Sequence, residues 1–356
     1  MHLINSCCGP LISLSDIRVL HDYTAIIHTF HHYVKPILIA VVLISICIQN
    51  KYMKQKEKFS RSTFGIIILL AGMSLSLLFG KSLNAQKIAH YPSFDVTKTG
   101  AGRPMILIPG LFCSGKVWDG TVEHFKDRFE CYEITLPGFA GQPPIQSDSI
   151  LSTITGQLAD FIKQNNLKNP IIVGHSLGGF IALQLAVDHP GQVGELIIVS
   201  SAPFLPALSM SANVTIDSTR KIGLMIKNSM KNLTAVQIGQ YQKFTLPTMI
   251  RDSSKISLVA DMAVKSDPFT QAQVMYELFS TDLRADMKNI HCPVLVLGDW
   301  ISYKKYGATH ETVLKNYTDQ FILAKNVTIT INDSSYHFIM YDEPKWFYQQ
   351  IESFLK

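Results

Sequence analysis

An α/β fold built on a mostly parallel, doubly wound sheet is what this sequence predicts, with a helical block inserted late and a short export leader in front. Three observations lead there. Short β-branched runs alternate with helix-periodic segments from about residue 90 onward, the pattern of a parallel sheet covered on both faces. A strand, a tight Gly-x-Ser-x-Gly turn and an apolar helix follow one another over residues 169–187. Residues 204–290 carry no strand pattern but are rich in Met, Leu, Ile and Phe at helical spacing, cut by Pro206, Pro247 and Pro268. The expected division is a core of residues 86–203 and 291–356, interrupted by the helical block 204–290.

The leader comes first in the chain. Met53–Arg61 is a cationic stretch, Phe64–Phe79 is an apolar run of 16 residues, and Gly80–Ala85 ends on a small residue. That order is the one a secretory signal uses, with cleavage expected after Ala85. Met53 then reads as the start, and residues 1–52 as an over-extended beginning. The rival reading makes Pro36–Ile48 and Phe64–Phe79 two membrane segments, although a bilayer needs about 20 residues per helix. The cationic linker Lys51–Arg61 would then stay in the cytoplasm. Both readings carry the body out of the cytoplasm, and the second anchors it to the membrane through residues 64–79.

Charge supports this separation. Residues 1–85 hold eight of the 32 Lys+Arg and three of the 27 Asp+Glu, which is the whole net charge of +5. The body is neutral, so no basic surface points to nucleic acid. It keeps three cysteines, Cys113, Cys131 and Cys292, an odd number that allows at most one bridge. None is spaced with a histidine for metal binding, and neither a metal nor a cofactor is expected.

The body's elements follow in order. Met105–Ile108 is a strand ending in Pro109-Gly110, and Glu130–Thr135 is another ending in Leu136-Pro137-Gly138. Ile150–Asn165 has apolar residues at Leu151, Ile154, Leu158, Phe161 and Ile162, close to a 3.6-residue period. Ile171–Val173 leads into Gly174-His175-Ser176-Leu177-Gly178, and Phe180–Val187 continues as a helix. Glu195–Val199, Pro293–Leu297 and Val327–Ile331 are further strands. Pro344–Leu355 closes the chain as a helix with proline in its first turn.

A strand-turn-helix of this kind is the context in which a Gly-x-Ser-x-Gly serine stands exposed on a strained turn. A side chain at Gly174 or Gly178 would meet neighbouring backbone there. Together with Pro109-Gly110-Leu111-Phe112, the loop Leu136–Gly141 and a late His337, the pattern resembles the α/β-hydrolase fold over roughly residues 100–356. In that family an insertion after the sixth strand forms a cap over the active site, which residues 204–290 would match. The family's chain order of nucleophile, acid and histidine assigns the nucleophile to Ser176 and the base to His337, in the loop after the last strand.

The resemblance is weaker at the acid. Family members carry it two or three positions beyond a glycine at the end of the seventh strand, which would fall on Trp300 or Ile301. Asp299 lies one position early, where a one-residue slip reverses side-chain direction. Asp333, or a serine–histidine pair with no strong acid, are the alternatives. Relatives that place the acid after the sixth strand are not matched, because Ser200-Ser201 stands there. The resemblance puts the oxyanion-hole N–H groups on Leu177 and Leu111, with Phe112 as the alternative to the latter. His175 is expected to point away from Ser176 and to support packing. His124, His189, His291 and His310 have no motif around them.

The function this implies is an exported serine hydrolase cleaving an ester, or an amide, through an acyl-serine. The apolar cap points to a small or medium hydrophobic acyl group, or else to core packing within the cap. A carbon–carbon bond hydrolase or a cofactor-free peroxidase-like enzyme uses the same three residues. A catalytically inactive exported binding module is the reading from outside enzymology. Epoxide and halide hydrolysis need an aspartate where Ser176 stands.

Overall fold

The computed structural model describes residues 93–210 and 214–356. The expected leader elements, residues 1–52, 53–85 and the run Phe64–Phe79, lie outside the described residues. Among the described residues no helix is long and apolar enough to cross a membrane.

One sheet holds seven strands in the order β1-β3-β2-β4-β5-β6-β7. They are β1 (Asp95–Gly100), β2 (Arg103–Ile108), β3 (Phe129–Thr135), β4 (Ile171–His175), β5 (Glu195–Val199), β6 (Val294–Asp299) and β7 (Val327–Asn332). β1 is antiparallel to β3, and every other pairing is parallel. The two-residue alternation of a strand sends Ile106, Ile108, Ile172, Leu196, Ile198 and Val296 into one hydrophobic layer. It sends Met105, Leu107, Ile171, Val173, Ile197, Val199 and Leu297 into the other.

Helices cover both layers. Against the first lie α2 (Ile150–Gln164) and α3 (Leu177–Asp188), with α9 (His310–Gln320) beside them through Val313 and Tyr317. Against the second lie α1 (Asp119–Phe125) and α10 (Pro344–Phe354), through Val122, Phe125, Phe347 and Ile351. Burying each such Ile, Leu or Phe is worth roughly 1.5–3 kcal/mol, so these layers hold the strands in register.

Three elements have no signature in the sequence reading. β1 is exposed except at the half-buried Val96 and Thr99 and has no apolar run, and its place comes from pairing with β3, Val96 opposite Ile134. α1 is short. α9 is polar, and it starts on a capping box between Thr309 and Thr312. Two strands also run further than their apolar cores suggest: β4 reaches His175 and β6 reaches Asp299.

Between β5 and β6 lie α4 (Leu205–Ser209), α5 (Ile216–Met230), α6 (Ala235–Thr245), α7 (Ile256–Val264) and α8 (Pro268–Ser280). Here proline starts elements. Pro206 and Pro268 occupy first turns, and Asp267 caps α8 by accepting from the Thr270 amide. Gly223 lets α5 approach α8, since a Cβ there would stand 2.7 Å from Phe279 Cβ. The inserted helices touch the core at loops leaving the carboxyl ends of strands. The Asp267 amide donates to Gly138 O at 2.7 Å, Ser266 Oγ accepts from the Ala140 amide at 2.9 Å, and Met249 O accepts from the Phe338 amide at 3.2 Å.

Candidate active site

The turn between β4 and α3 is set by its glycines. A Cβ on Gly174 would stand 2.3 Å from Gly178 O, and one on Gly178 would stand 2.2 Å from Ile108 O. Neither approach is open to any other residue. The chain passes from strand to helix in one residue, and Ser176 takes φ 52° and ψ −114°, a sparsely populated conformation for a side chain. Its amide donates to Val199 O at 2.9 Å and its carbonyl accepts from the Phe180 amide at 3.1 Å, so the backbone is held on both sides. From Ile171 to Leu183 every residue is buried except Ser176.

The imidazole of His175 turns the other way and is wholly buried. It packs edge-on to Trp118, 4.8 Å from the ring of His337 and 4.6 Å from Phe338, centroid to centroid. Burial drives its pKa well below the ordinary imidazole value, so it stays neutral. His175 Nε2 donates to His337 O at 3.0 Å, which ties the loop after β7 to the residue preceding Ser176. Its Nδ1 has no partner among the described residues.

His337 is brought to this place by the β7 loop. Its Nδ1 faces Asp299 Oδ1 at 4.0 Å, with the imidazole nearly buried and the carboxylate wholly so. That separation is beyond a hydrogen bond and within ion-pair range, so a small side-chain adjustment would close it. Burial lowers the pKa of His337 and the Asp299 charge raises it, with a net downward shift. Asp299 does not cap the following helical turn, Ile301–Lys304, whose N-cap is Trp300. It ends β6 beside Asn332, and neither of its carboxylate oxygens has a hydrogen-bond partner among the described residues. Asp333 is exposed, accepts from Trp300 Nε1 at 3.2 Å and lies 3.8 Å from His310. Of the two aspartates weighed from the sequence, Asp299 is the one against the His337 imidazole.

Ser176 Oγ forms no hydrogen bond among the described residues. Unliganded sites of this kind often hold such contacts long and tighten them around substrate.

Leu177 opens α3, where the first-turn amides have no helical acceptor. The backbone at Gly110 passes close by, since a Cβ there would stand 2.8 Å from His175 Nδ1 and 3.4 Å from Ser176 Cβ. Leu111 follows, half-buried, and Phe112 bends the loop away at φ 70°. Phe112 O accepts from Ser266 Oγ at 3.4 Å, so this loop too rests on the inserted helices.

The remaining sequence candidates lie elsewhere. His124 stacks on Tyr348 and pairs with Glu352 at 2.9 Å, and His291 sits at the opposite end of the sheet. A groove of about 800 Å³ there is lined by Arg103, Asn169, Glu195 and Cys292, which start or precede strands. Ligand sites of open parallel sheets form at the other, carboxyl ends, where Ser176 is. Cys113, Cys131 and Cys292 are free thiols. Among the described residues no three His, Cys, Asp or Glu side chains gather to hold a metal. Sequence reasoning passed over Ser266 and Asp342, whose surroundings carry no motif.

A parallel sheet with a serine on a strained strand-to-helix turn, and an imidazole set against a buried carboxylate on the loop that His175 of that turn holds, is the arrangement of the α/β-hydrolase class. The alpha/beta hydrolase family model matches residues 105–350, and the chain belongs to that family. It is 24% identical over 208 residues to the pimeloyl-[acyl-carrier protein] methyl ester esterase of Nitrosomonas europaea, covering 58% of this chain and 79% of that protein. The Vibrio cholerae protein of the same name is 26% identical, covering 56% and 76%. Among solved structures, an esterase from Exiguobacterium antarcticum superposes with a TM-score of 0.59 at 15% identity, over 74% of this chain and 95% of that one. An enol-lactonase from Burkholderia xenovorans does so with a TM-score of 0.57 at 15% identity, over 74% and 96%.

Proposed function

We propose that this chain is an exported serine hydrolase that cleaves carboxylic esters of small to medium hydrophobic acyl groups through an acyl-serine. The observation that carries the reading is Ser176: it alone reaches solvent on an otherwise buried turn, and the neighbouring His175 is bonded to His337, whose imidazole faces a buried carboxylate. Kinship with proteins named as methyl ester esterases supports an ester over an amide.

In the proposed reaction Ser176 Oγ attacks the ester carbonyl carbon while His337 Nε2 takes its proton. The carbonyl oxygen becomes an oxyanion held by the Leu111 and Leu177 amides. Collapse breaks the bond to the alcohol, which leaves with the proton from His337. Water then attacks the acyl-serine with His337 again as base, releasing the acid and restoring Ser176. Asp299 keeps the proton of the imidazole on Nδ1 and stabilises the imidazolium that forms.

The substrate size rests on the apolar composition of the inserted segment, whose Ile238, Leu246, Val259 and Met262 are buried. Met262 Sδ reaches the oxyanion-side loop, 3.5 Å from the Ser114 amide. Export, and anchoring through residues 64–79, rest on the order of charge and hydropathy in the leader. N-terminal sequencing of the mature, fractionated protein tests that part, with residue 86 the expected first residue of a cleaved form.

A series of p-nitrophenyl esters from acetate to decanoate tests the activity. Turnover that peaks at short to medium chains and vanishes in Ser176→Ala is expected. A folded protein that hydrolyses none of them, while still binding acyl compounds, would point to the inactive binding module instead.

A further inference from the structure

The loop that carries His337 is held at more points than a surface loop needs. Asn332 Oδ1 accepts from the amides of Ser334 and Ser335 at its start. Asp342, at its far end and only 7% exposed, turns its carboxylate inward. Oδ2 accepts from the Tyr336 amide at 2.8 Å, one residue before His337. Oδ1 accepts from the amides of Arg251 and Asp252, both at 3.0 Å. Those two residues belong to the inserted helices, at the turn between α6 and α7. One carboxylate therefore binds the base loop and the insertion together.

The same junction is closed on the other side of His337, where the Phe338 amide donates to Met249 O at 3.2 Å. Arg251 seals it from outside, donating to Asp342 O at 2.8 Å and to Glu343 Oε1 at 2.6 Å. The residues flanking His337 in the chain are thus both bonded, directly or through Asp342, to the segment 249–252. Burial pushes the Asp342 carboxyl up, and the amide donors and Arg251 pull it back. The donor set is one that a carboxylate satisfies and a carboxamide does not, since an amide NH₂ would face a backbone N–H.

We propose that Asp342 is a positioning residue for His337, and that it couples the seating of the inserted helices to the placement of the base. When the helices move away from the carboxyl edge, the segment 249–252 draws on Tyr336 through this carboxylate and displaces the imidazole. When they seat, the imidazole returns to face Asp299. The inference rests on the reading of Ser176 and His337 as nucleophile and base.

The test compares the full-length wild type with Asp342→Asn and Asp342→Ala, each titrated to completion with a fluorophosphonate so that turnover is expressed per reactive site. A wild type that neither labels nor turns over ester removes the nucleophile–base reading itself, a result distinct from those of the variants. With an active wild type, Asp342→Asn should lose about 10-fold or more in kcat per titrated site, because misplacement by an ångström is costly. Its KM should change by less than about 2-fold, and its labelling rate should fall in step with kcat. Asp342→Ala should lose at least as much; if it does not fold, the near-isosteric Asn variant carries the test. Wild-type kcat per titrated site, with the damage confined to yield or melting temperature, overturns the proposal and leaves Asp342 a structural residue only.

Discussion

Ser176 sits on a turn whose shape is set by two glycines, each within two residues of it, and by the β2 carbonyl that one of them meets. His337 sits on a loop whose placement depends on His175, Met249, Asn332 and Asp342. The first arrangement is short-range and steric. The second is polar and partly long-range, assembled from the two ends of the loop itself, the end of β4 and the segment 249–252. A strained turn sandwiched between strand and helix has one conformation available, whereas a loop held by hydrogen bonds moves when any partner moves. The proposed nucleophile is therefore fixed, and the base is adjustable.

The largest expected effect tests the fixed half. Ser176→Ala should fold normally and lose on the order of 10⁴-fold or more in kcat, measured on the best p-nitrophenyl ester. On the adjustable half, Asp299→Asn should cost between about 10²- and 10⁴-fold, because an amide favours the wrong imidazole tautomer. Near-wild-type turnover in that variant would leave a serine–histidine pair acting without a strong acid.

Gly178→Ala separates the two regions through stability. Its Cβ would stand 2.2 Å from Ile108 O, so the β2 end or α3 must shift. A loss of about 3 kcal/mol or more in denaturant unfolding is expected. An alanine tolerated there would mean that the turn is looser than its geometry implies.

The pH dependence sharpens the electrostatic side. The base must be neutral to accept the Ser176 proton, so kcat/KM rises with pH as His337 loses its own. Burial lowers that pKa below the ordinary 6.5, and Asp299 opposes the shift. The acid limb should therefore lie below pH 6.5 in the wild type, and lower still in Asp299→Asn. A midpoint above 6.5 would contradict the buried placement of the imidazole.

The smallest effect lies away from both. Glu133 on β3 is pushed up to about 7 by burial, and by the nearby Asp119. A carboxyl raised in the folded state takes up its proton on folding, so its contribution is full below its unfolded pKa and lost as pH rises through about 7. Glu133→Gln should raise the melting temperature by a few degrees at pH 8 and by less at pH 5. Equal shifts at both pH values would rule out the charge as the cause.

The same contrast explains what the sequence revealed. The elbow was legible because sterics at Gly174 and Gly178 leave their mark in adjacent residues. The central strands were legible because burial on both faces demands unbroken apolar runs. β1 left no such mark, since an edge strand needs one apolar side at most and draws its position from β3. Asp299 stood one position off the family pattern, and only its contact at the end of β6, two residues beyond the apolar run, shows that its carboxylate faces His337. Asp342 was invisible for a related reason. Its partners are backbone amides at residues 251, 252 and 336, and amides carry no residue-type signature.

The most direct test is covalent labelling of the full-length protein with a fluorophosphonate, followed by mass spectrometry of its peptides. A single adduct at Ser176, formed slowly or not at all in His337→Ala, is the result expected here. A folded protein that takes up no label, or that carries it on another residue, would contradict the assignment of Ser176 as nucleophile and His337 as its base.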